Sequence, residues 1–127
     1  MSRAALRWGP VLLWAATIFF LSSQPRLPQL PDLLSWDKLQ HTAGYLVGGV
    51  LLARALTGSK RGMLLAALLG LAWGASDELH QFFVPGRNAS VLDWYADALG
   101  IFLGIAVWSL TLHHLARRKG HAAMTHA

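Results

Sequence analysis

The chain contains no cysteine, which excludes disulfide bonds and thiolate chemistry. It also contains little charge: Asp, Glu, Lys and Arg make up 13% of its 127 residues, against 54% for apolar residues. A soluble domain needs a largely polar surface, and so apolar a composition is unusual for one. The composition therefore favours one small unit in a membrane over several soluble domains.

Basic residues outnumber acidic ones, with 11 Lys and Arg against 6 Asp and Glu. A basic balance can indicate a nucleic-acid partner, but only where the charges form a patch on one face. Here they fall in short clusters between apolar runs, which is typical of membrane topology. We therefore expect no nucleic-acid partner.

The apolar runs predict an all-α integral membrane protein with four transmembrane helices in a compact bundle, because a span of about 20 residues crosses a ~30 Å hydrocarbon core. The predicted helices cover approximately residues 6–23, 37–56, 62–83 and 92–115. The second has the weakest signal, since its apolar part runs only from about Thr42 to Leu52.

The chain is predicted to form a single membrane domain over residues 1–127, with a core at about 10–112. The polar residues 119–127 are predicted to be a disordered tail.

The charges separate between the two ends of this bundle. Eight basic residues fall at one end: Arg3, Arg7, Arg54, Lys60, Arg61, Arg117, Arg118 and Lys119. All six acidic residues fall towards the other: Asp32, Asp37, Asp77, Glu78, Asp93 and Asp97. The positive-inside rule then places both termini in the cytoplasm. The sequence predicts a multi-pass protein of the bacterial cytoplasmic (inner) membrane with an acidic outer half.

Two stretches share one spacing at an offset of 56 residues, namely Asp37-x3-His41-x2-Gly44-x3-Gly48 and Asp93-x3-Asp97-x2-Gly100-x3-Gly104. The match predicts either two helical hairpins of similar design or independent use of small-x3-small packing. Such glycine faces bring helix backbones close together and are predicted to pack inward; they are equally suited to a homodimer. The first helix lacks such a pair and is predicted to be peripheral.

A polar cluster is predicted at the outer end, because residues three and four apart share a helix face. The predicted ligand-binding residues are Asp37, Lys38, His41, Tyr45, Asp77, Glu78, Gln81, Arg87, Asp93 and Asp97. Asp77 lies roughly 21 Å into a ~30 Å core, so its carboxylate must be paired, protonated or wetted.

Three interpretations of the cluster compete. In the structural one, Lys38, Arg87 and His41 neutralise the acids and join the hairpins. In the catalytic one, Glu78 or Asp77 acts as base with His41 or His80 as acid. No metal motif such as His-Glu-x-x-His is present, so no metal and no cofactor are predicted. In the third, Arg87 and Lys38 hold a phosphate while the acids accept hydroxyl or ammonium groups.

Three segments resemble the VanZ-like family of small bacterial membrane proteins: FFLSSQP, DKLQHTAGYLVGGVLLA and SDELHQFFVPGRNASVLDWYADALG. The resemblance covers about residues 10–112 and carries family positions onto Asp37, Lys38, His41, Tyr45, Asp77, Glu78, Gln81, Pro85, Gly86, Arg87, Asp93, Asp97 and Gly100. The position of Asp97 is often Asn in the family. The resemblance implies a role in low-level resistance to teicoplanin, a lipoglycopeptide that acts at the outer leaflet.

The leading hypothesis is an envelope protein whose outward-facing pocket binds a membrane lipid or a lipid-anchored envelope molecule. The alternative is a membrane-embedded enzyme that modifies a lipid-linked substrate by Asp, Glu and His acid–base chemistry. A proton-coupled transporter half-unit is a third hypothesis, disfavoured because four short helices leave little room for alternating access.

Overall fold

The computed structural model describes residues 2–25, 34–58 and 60–124. Within these ranges the chain is all-α, with α1 (Arg3–Ser22), α2 (Leu34–Ala55), α3 (Lys60–Phe82) and α4 (Val91–Met124). The all-helical fold is confirmed, and each helix begins one to three residues before its predicted start. Asp32, which entered the orientation argument, lies outside the described residues.

The predicted end of the fourth helix is wrong. α4 continues to Met124, so residues 119–124 are helical rather than a disordered tail, and residues 125–127 lie outside the described part of the chain. The segment after residue 115 is polar, but it is rich in Ala, Arg and Lys, which favour helix, and lacks proline. Basic side chains near a helix C-terminus also interact favourably with the helix dipole.

Three helices are long and apolar enough to cross a membrane: Arg3–Ser22, Arg61–Phe82 and Val91–Lys119. Their outer surfaces carry large apolar side chains, with Leu13 71% exposed and Phe82 69% exposed. An exterior of this kind suits hydrocarbon, where helices satisfy their own backbone hydrogen bonds. The chain is therefore a helical membrane protein.

The closest helix contact joins α2 to α4. A Cβ atom added at Gly100 would collide with the carbonyl oxygen of Thr42, and one added at Gly104 with that of Leu46. Only glycine permits backbones to approach so closely. The contacts advance along both helices in the same direction, from Lys38–Asp93 to Thr57–Trp108. α2 and α4 are therefore parallel neighbours.

α3 runs antiparallel to α4 and packs on it through two glycines. Gly70 lies against the side chain of Ile101, and Gly74 lies against Asp97 nearer the other end. The Trp94 indole Nε1 donates to the Leu71 carbonyl oxygen at 3.1 Å. This packing brings the C-terminal part of α3 beside the N-terminal part of α4.

α1 is attached to α2 mainly by Trp14. Its indole Nε1 donates to the Gly44 carbonyl oxygen at 2.9 Å, and its ring fills the space over Gly48. The two glycines of α2 in the repeated motif therefore face α1, whereas Gly100 and Gly104 of α4 face α2. Both motifs permit close packing as predicted, but against different neighbours. The rest of α1 is largely exposed.

We expect Gly104→Ala to destabilise the protein by about 1–3 kcal/mol, because the new methyl group has no room against the α2 backbone. Gly9→Ala is the matched control, since nothing lies within 4 Å of a Cβ at that position in α1. It should leave stability unchanged or raise it by at most about 1 kcal/mol. Thermal unfolding of both variants in one detergent measures the difference; equal midpoints would contradict the close approach.

Candidate functional site

Five carboxylate side chains are buried where α2, α3 and α4 meet: Asp37, Asp77, Glu78, Asp93 and Asp97. Asp97 is the most enclosed, with 1% of its surface exposed. An ionised carboxylate removed from water is unfavourable unless hydrogen bonds or opposite charges compensate it. The partners of these acids therefore determine what the cluster can do.

Two charged or polar pairs connect α2 to α4. Lys38 Nζ lies 2.8 Å from Asp93 Oδ1, and one turn further along, His41 Nδ1 lies 2.8 Å from Asp97 Oδ1. His41 and Asp97 occupy equivalent positions in the repeated motif, so the repeat places two chemically complementary residues opposite each other. The close backbone contact at the glycines makes these distances attainable.

Two acids from α3 point in different directions, as neighbours on a helix do. Asp77 Oδ2 accepts a hydrogen bond from Gln81 Nε2 at 3.2 Å, one turn later on the same face. Glu78 Oε2 accepts from the backbone N–H of Ser90 at 2.8 Å, just before α4 begins. Asp77 therefore lines the space towards α1 and α2, while Glu78 faces α4.

A cavity of about 140 Å³ lies between α1, α2 and α3. One wall is apolar, with Ile18 and Leu21 of α1 and the ring of Tyr45. The opposite wall is polar and consists of Asp37, Gln40, His41, Asp77, Gln81 and Arg87. Ligand pockets commonly combine apolar walls with a few convergent polar groups. The arrangement suits a small polar group attached to an apolar body.

Arg87 lines the cavity and also donates hydrogen bonds to the C-terminal end of α1. Its Nε donates to the Gln24 carbonyl oxygen at 3.0 Å, and Nη2 donates to the Leu21 carbonyl oxygen at 2.6 Å. A cation at the carbonyl end of a helix is favourable. The turn that carries Arg87 is closed by a hydrogen bond from its N–H to the Val84 carbonyl oxygen, with Gly86 at φ 77°.

Five residues of the predicted site do not line the cavity: Lys38, Glu78, His80, Asp93 and Asp97. Lys38 is engaged with Asp93, so its position does not support a role in holding a ligand phosphate. His80 stacks on Phe19 at 4.5 Å between ring centroids and hydrogen-bonds Ser23 Oγ at 2.9 Å. Its position beside α1 therefore gives no support to a role as acid partner of Glu78 or Asp77.

The cavity also contains residues that the sequence did not indicate. Gln40 lies one turn after Asp37 on α2, so helical spacing would have found it. Ile18, Leu21 and Ser22 come from α1, where no charged or repeated motif distinguishes them from other lipid-span residues. Their contribution depends on where Trp14 holds α1, which is a tertiary contact.

The fold and the cluster define a small helical membrane protein with buried acidic residues at one end of its bundle. Among known protein families, residues 8–112 match the family described as VanZ/LLP1. The match covers most of the chain, so the protein belongs to this family and the resemblance in the sequence is confirmed. No curated protein and no solved structure matches the chain.

We expect Lys38→Met to destabilise the protein by roughly 3 kcal/mol, because it leaves the Asp93 carboxylate buried without its cation. Adding Asp93→Asn should restore much of the loss, since the two residues act as a pair. The measurement is a double-mutant cycle on the free energy of unfolding in detergent. Additive effects of the two substitutions would show that the pair does not form.

Proposed function

We propose that the chain is a multi-pass protein of the bacterial cytoplasmic membrane in which α2 also crosses the bilayer. By composition alone, α2 is less apolar than a membrane-spanning helix, unlike the other three helices. It nevertheless runs parallel to α4 over most of its length. Its 22 residues reach roughly 33 Å at 1.5 Å per residue. The acidic ends of α2 and α4 then lie at the outer face, and both termini lie in the cytoplasm.

The absence of native cysteine permits a direct topology test with single cysteines. Gln24→Cys and Asn88→Cys should react with a membrane-impermeant maleimide added to whole spheroplasts, because both sites lie at the outer ends of helices. Thr57→Cys and Lys119→Cys should react only after the membrane is permeabilised. Equal labelling of positions 24 and 57 from outside would show that α2 does not cross.

We propose further that the cavity binds the polar headgroup of an outer-leaflet lipid or of a lipid-anchored envelope molecule. The observation that carries this proposal is the two-sided wall: Ile18 and Leu21 on the α1 side face carboxylates and amides of α2 and α3. Buried carboxylates accept hydrogen bonds from hydroxyl or ammonium groups, and those bonds are stronger than neutral ones. Arg87 at the same cavity offers a positive charge for an anionic group.

The size of the cavity limits what enters it. A volume of about 140 Å³ is well below the ~300–1,000 Å³ of most small-molecule pockets. It therefore accommodates a few heavy atoms, such as an amino or hydroxyl-bearing end of a headgroup, while acyl chains stay outside against α1 and α3. A lipoglycopeptide such as teicoplanin also joins an acyl chain to a polar head, so resistance to it follows as a candidate role.

We expect Asp77→Asn to weaken headgroup binding by about 10-fold or more, because a charged hydrogen bond contributes roughly 1.5–3 kcal/mol. His80→Gln is the control, since His80 lies at a similar depth on α3 but does not line the cavity. Native mass spectrometry of the protein in nanodiscs, with envelope lipids and teicoplanin titrated separately, measures binding. Equal retention by the two variants would contradict a headgroup site.

One observation favours the enzymatic alternative. His41 lines the cavity and its Nδ1 is paired with the Asp97 carboxylate, which is how an imidazole is oriented as a general base. The same spectra distinguish chemistry from binding: an enzyme converts the bound lipid into a species of new mass, and His41→Gln stops the conversion. A bound lipid of unchanged mass after prolonged incubation contradicts catalysis.

A further inference from the structure

In each of two buried carboxylates, one oxygen has a hydrogen-bond partner and the other has none among the described residues. Glu78 Oε2 accepts from Ser90 N–H and Asp97 Oδ1 is paired with His41, whereas Glu78 Oε1 and Asp97 Oδ2 are buried without a hydrogen-bond partner. Leaving a buried acceptor unsatisfied is unfavourable, and more so for a charged group. The unsatisfied oxygens call for a partner that residues 2–25, 34–58 and 60–124 do not provide.

We propose that His41, Glu78 and Asp97 bind a divalent transition-metal cation. One ring nitrogen of His41 and one oxygen from each carboxylate all lie within 4.8 Å of one another. In a tetrahedral site with bonds of about 2.1 Å, ligand atoms are roughly 3.4 Å apart, so small side-chain rotations close the site. One imidazole with two carboxylates suits Zn²⁺ or Mn²⁺, while Mg²⁺ and Ca²⁺ prefer oxygen alone.

The charge balance of this end of the bundle points the same way. Five carboxylates are buried there, and among the described residues only Lys38 and Arg87 bring a permanent positive charge to them. Even if each of these two cations pairs with one carboxylate, three of the five buried acids have no permanent positive charge beside them. A divalent cation between Glu78 and Asp97 would offset two of the negative charges.

One outer contact of the kind that metal sites require is present, because Ser90 N–H fixes the orientation of Glu78. His41 and Asp97 are both proposed ligands, so a bound metal would replace the hydrogen bond between them. A second grouping of Asp37, His41 and Asp93 lies nearby. It is less suitable, because Asp93 already neutralises Lys38.

The position of the site links it to the cavity without depending on lipid binding. His41 lines the cavity wall, so a metal could enter from there and leave its open position facing the cavity. If the proposed headgroup ligand is real, the cation would sit behind it as a Lewis acid or as an anchor for a phosphate oxygen. Metal binding is measured separately, so either proposal can fail alone.

The test uses full-length protein in detergent, purified without a polyhistidine tag. Every protein sample carries Gln in place of the four histidines near the C-terminus, because these histidines would bind metal adventitiously. They are His113, His114, His121 and His126. We expect the protein to retain one equivalent of Zn²⁺ after dialysis against a weak chelator. Co²⁺ should give the visible absorption bands of a four- or five-coordinate site, and Zn²⁺ should raise the thermal unfolding midpoint.

Glu78→Gln and Asp97→Asn should lower Zn²⁺ affinity at least 100-fold. Asp77→Asn is the matched control: it removes the same charge from the next residue of α3, which belongs to neither grouping. It should change affinity only a few-fold. Size-exclusion chromatography and circular dichroism confirm that the variants fold.

Several outcomes would overturn the proposal. Less than a tenth of an equivalent of Zn²⁺ and of Mn²⁺ in the intact protein would do so, as would equal losses in the Asp77 and Glu78 variants. If the variants do not fold, the Co²⁺ spectrum of the intact protein still tests whether the metal site exists. Octahedral, all-oxygen bands would reject a site that contains His41.

Discussion

The close approach of α2 and α4 is the constraint on which the site depends. At Gly100 and Gly104 there is no space for a side chain, because the α2 backbone occupies it. This contact sets both the parallel direction and the register of the two helices. The same register brings His41 within 2.8 Å of Asp97 and Lys38 within 2.8 Å of Asp93. A one-residue slip would separate both pairs and leave the acids buried without partners.

The acidic end of the bundle holds more carboxylates than a lipid bilayer tolerates without compensation. Some of that compensation comes from the chain. Gln81 and the backbone N–H of Ser90 donate hydrogen bonds to Asp77 and Glu78, respectively, and Lys38 forms a salt bridge with Asp93. It is incomplete, since Glu78 and Asp97 each keep a buried oxygen without a hydrogen bond. These two oxygens are the physical reason why ligands are proposed at this end.

The helical fold was predictable because apolar runs of span length and glycine spacing are local patterns. The pairing of His41 with Asp97 was implicit in the repeat, whose offset of 56 residues matches the register of the parallel helices. Charge patterns alone did not show which partners Lys38 and His80 would meet, because sequence shows which residues share a helix face but not which neighbour that face contacts. The polar end of α4 was taken as disordered, although its residues favour helix.

The role of α1 was not predictable from its own residues. Trp14 hydrogen-bonds the Gly44 carbonyl oxygen and packs over Gly48. That contact places the apolar residues of α1 opposite the acids and so creates the cavity. Because the glycines and the tryptophan are 30 or more residues apart, only the folded bundle shows that they belong together.

The central claim is that buried acids from separate helices meet at one end of the bundle, because α2 and α4 lie side by side in this register. Oxidative cross-linking between Thr42→Cys and Ala96→Cys tests it directly, since Thr42 Oγ1 donates to the Ala96 carbonyl oxygen at 3.2 Å. The account predicts rapid disulfide formation within the monomer, and little for Thr42→Cys with Tyr95→Cys, because Tyr95 is 59% exposed on another face. Efficient cross-linking of position 42 to 95 but not to 96 would contradict the account.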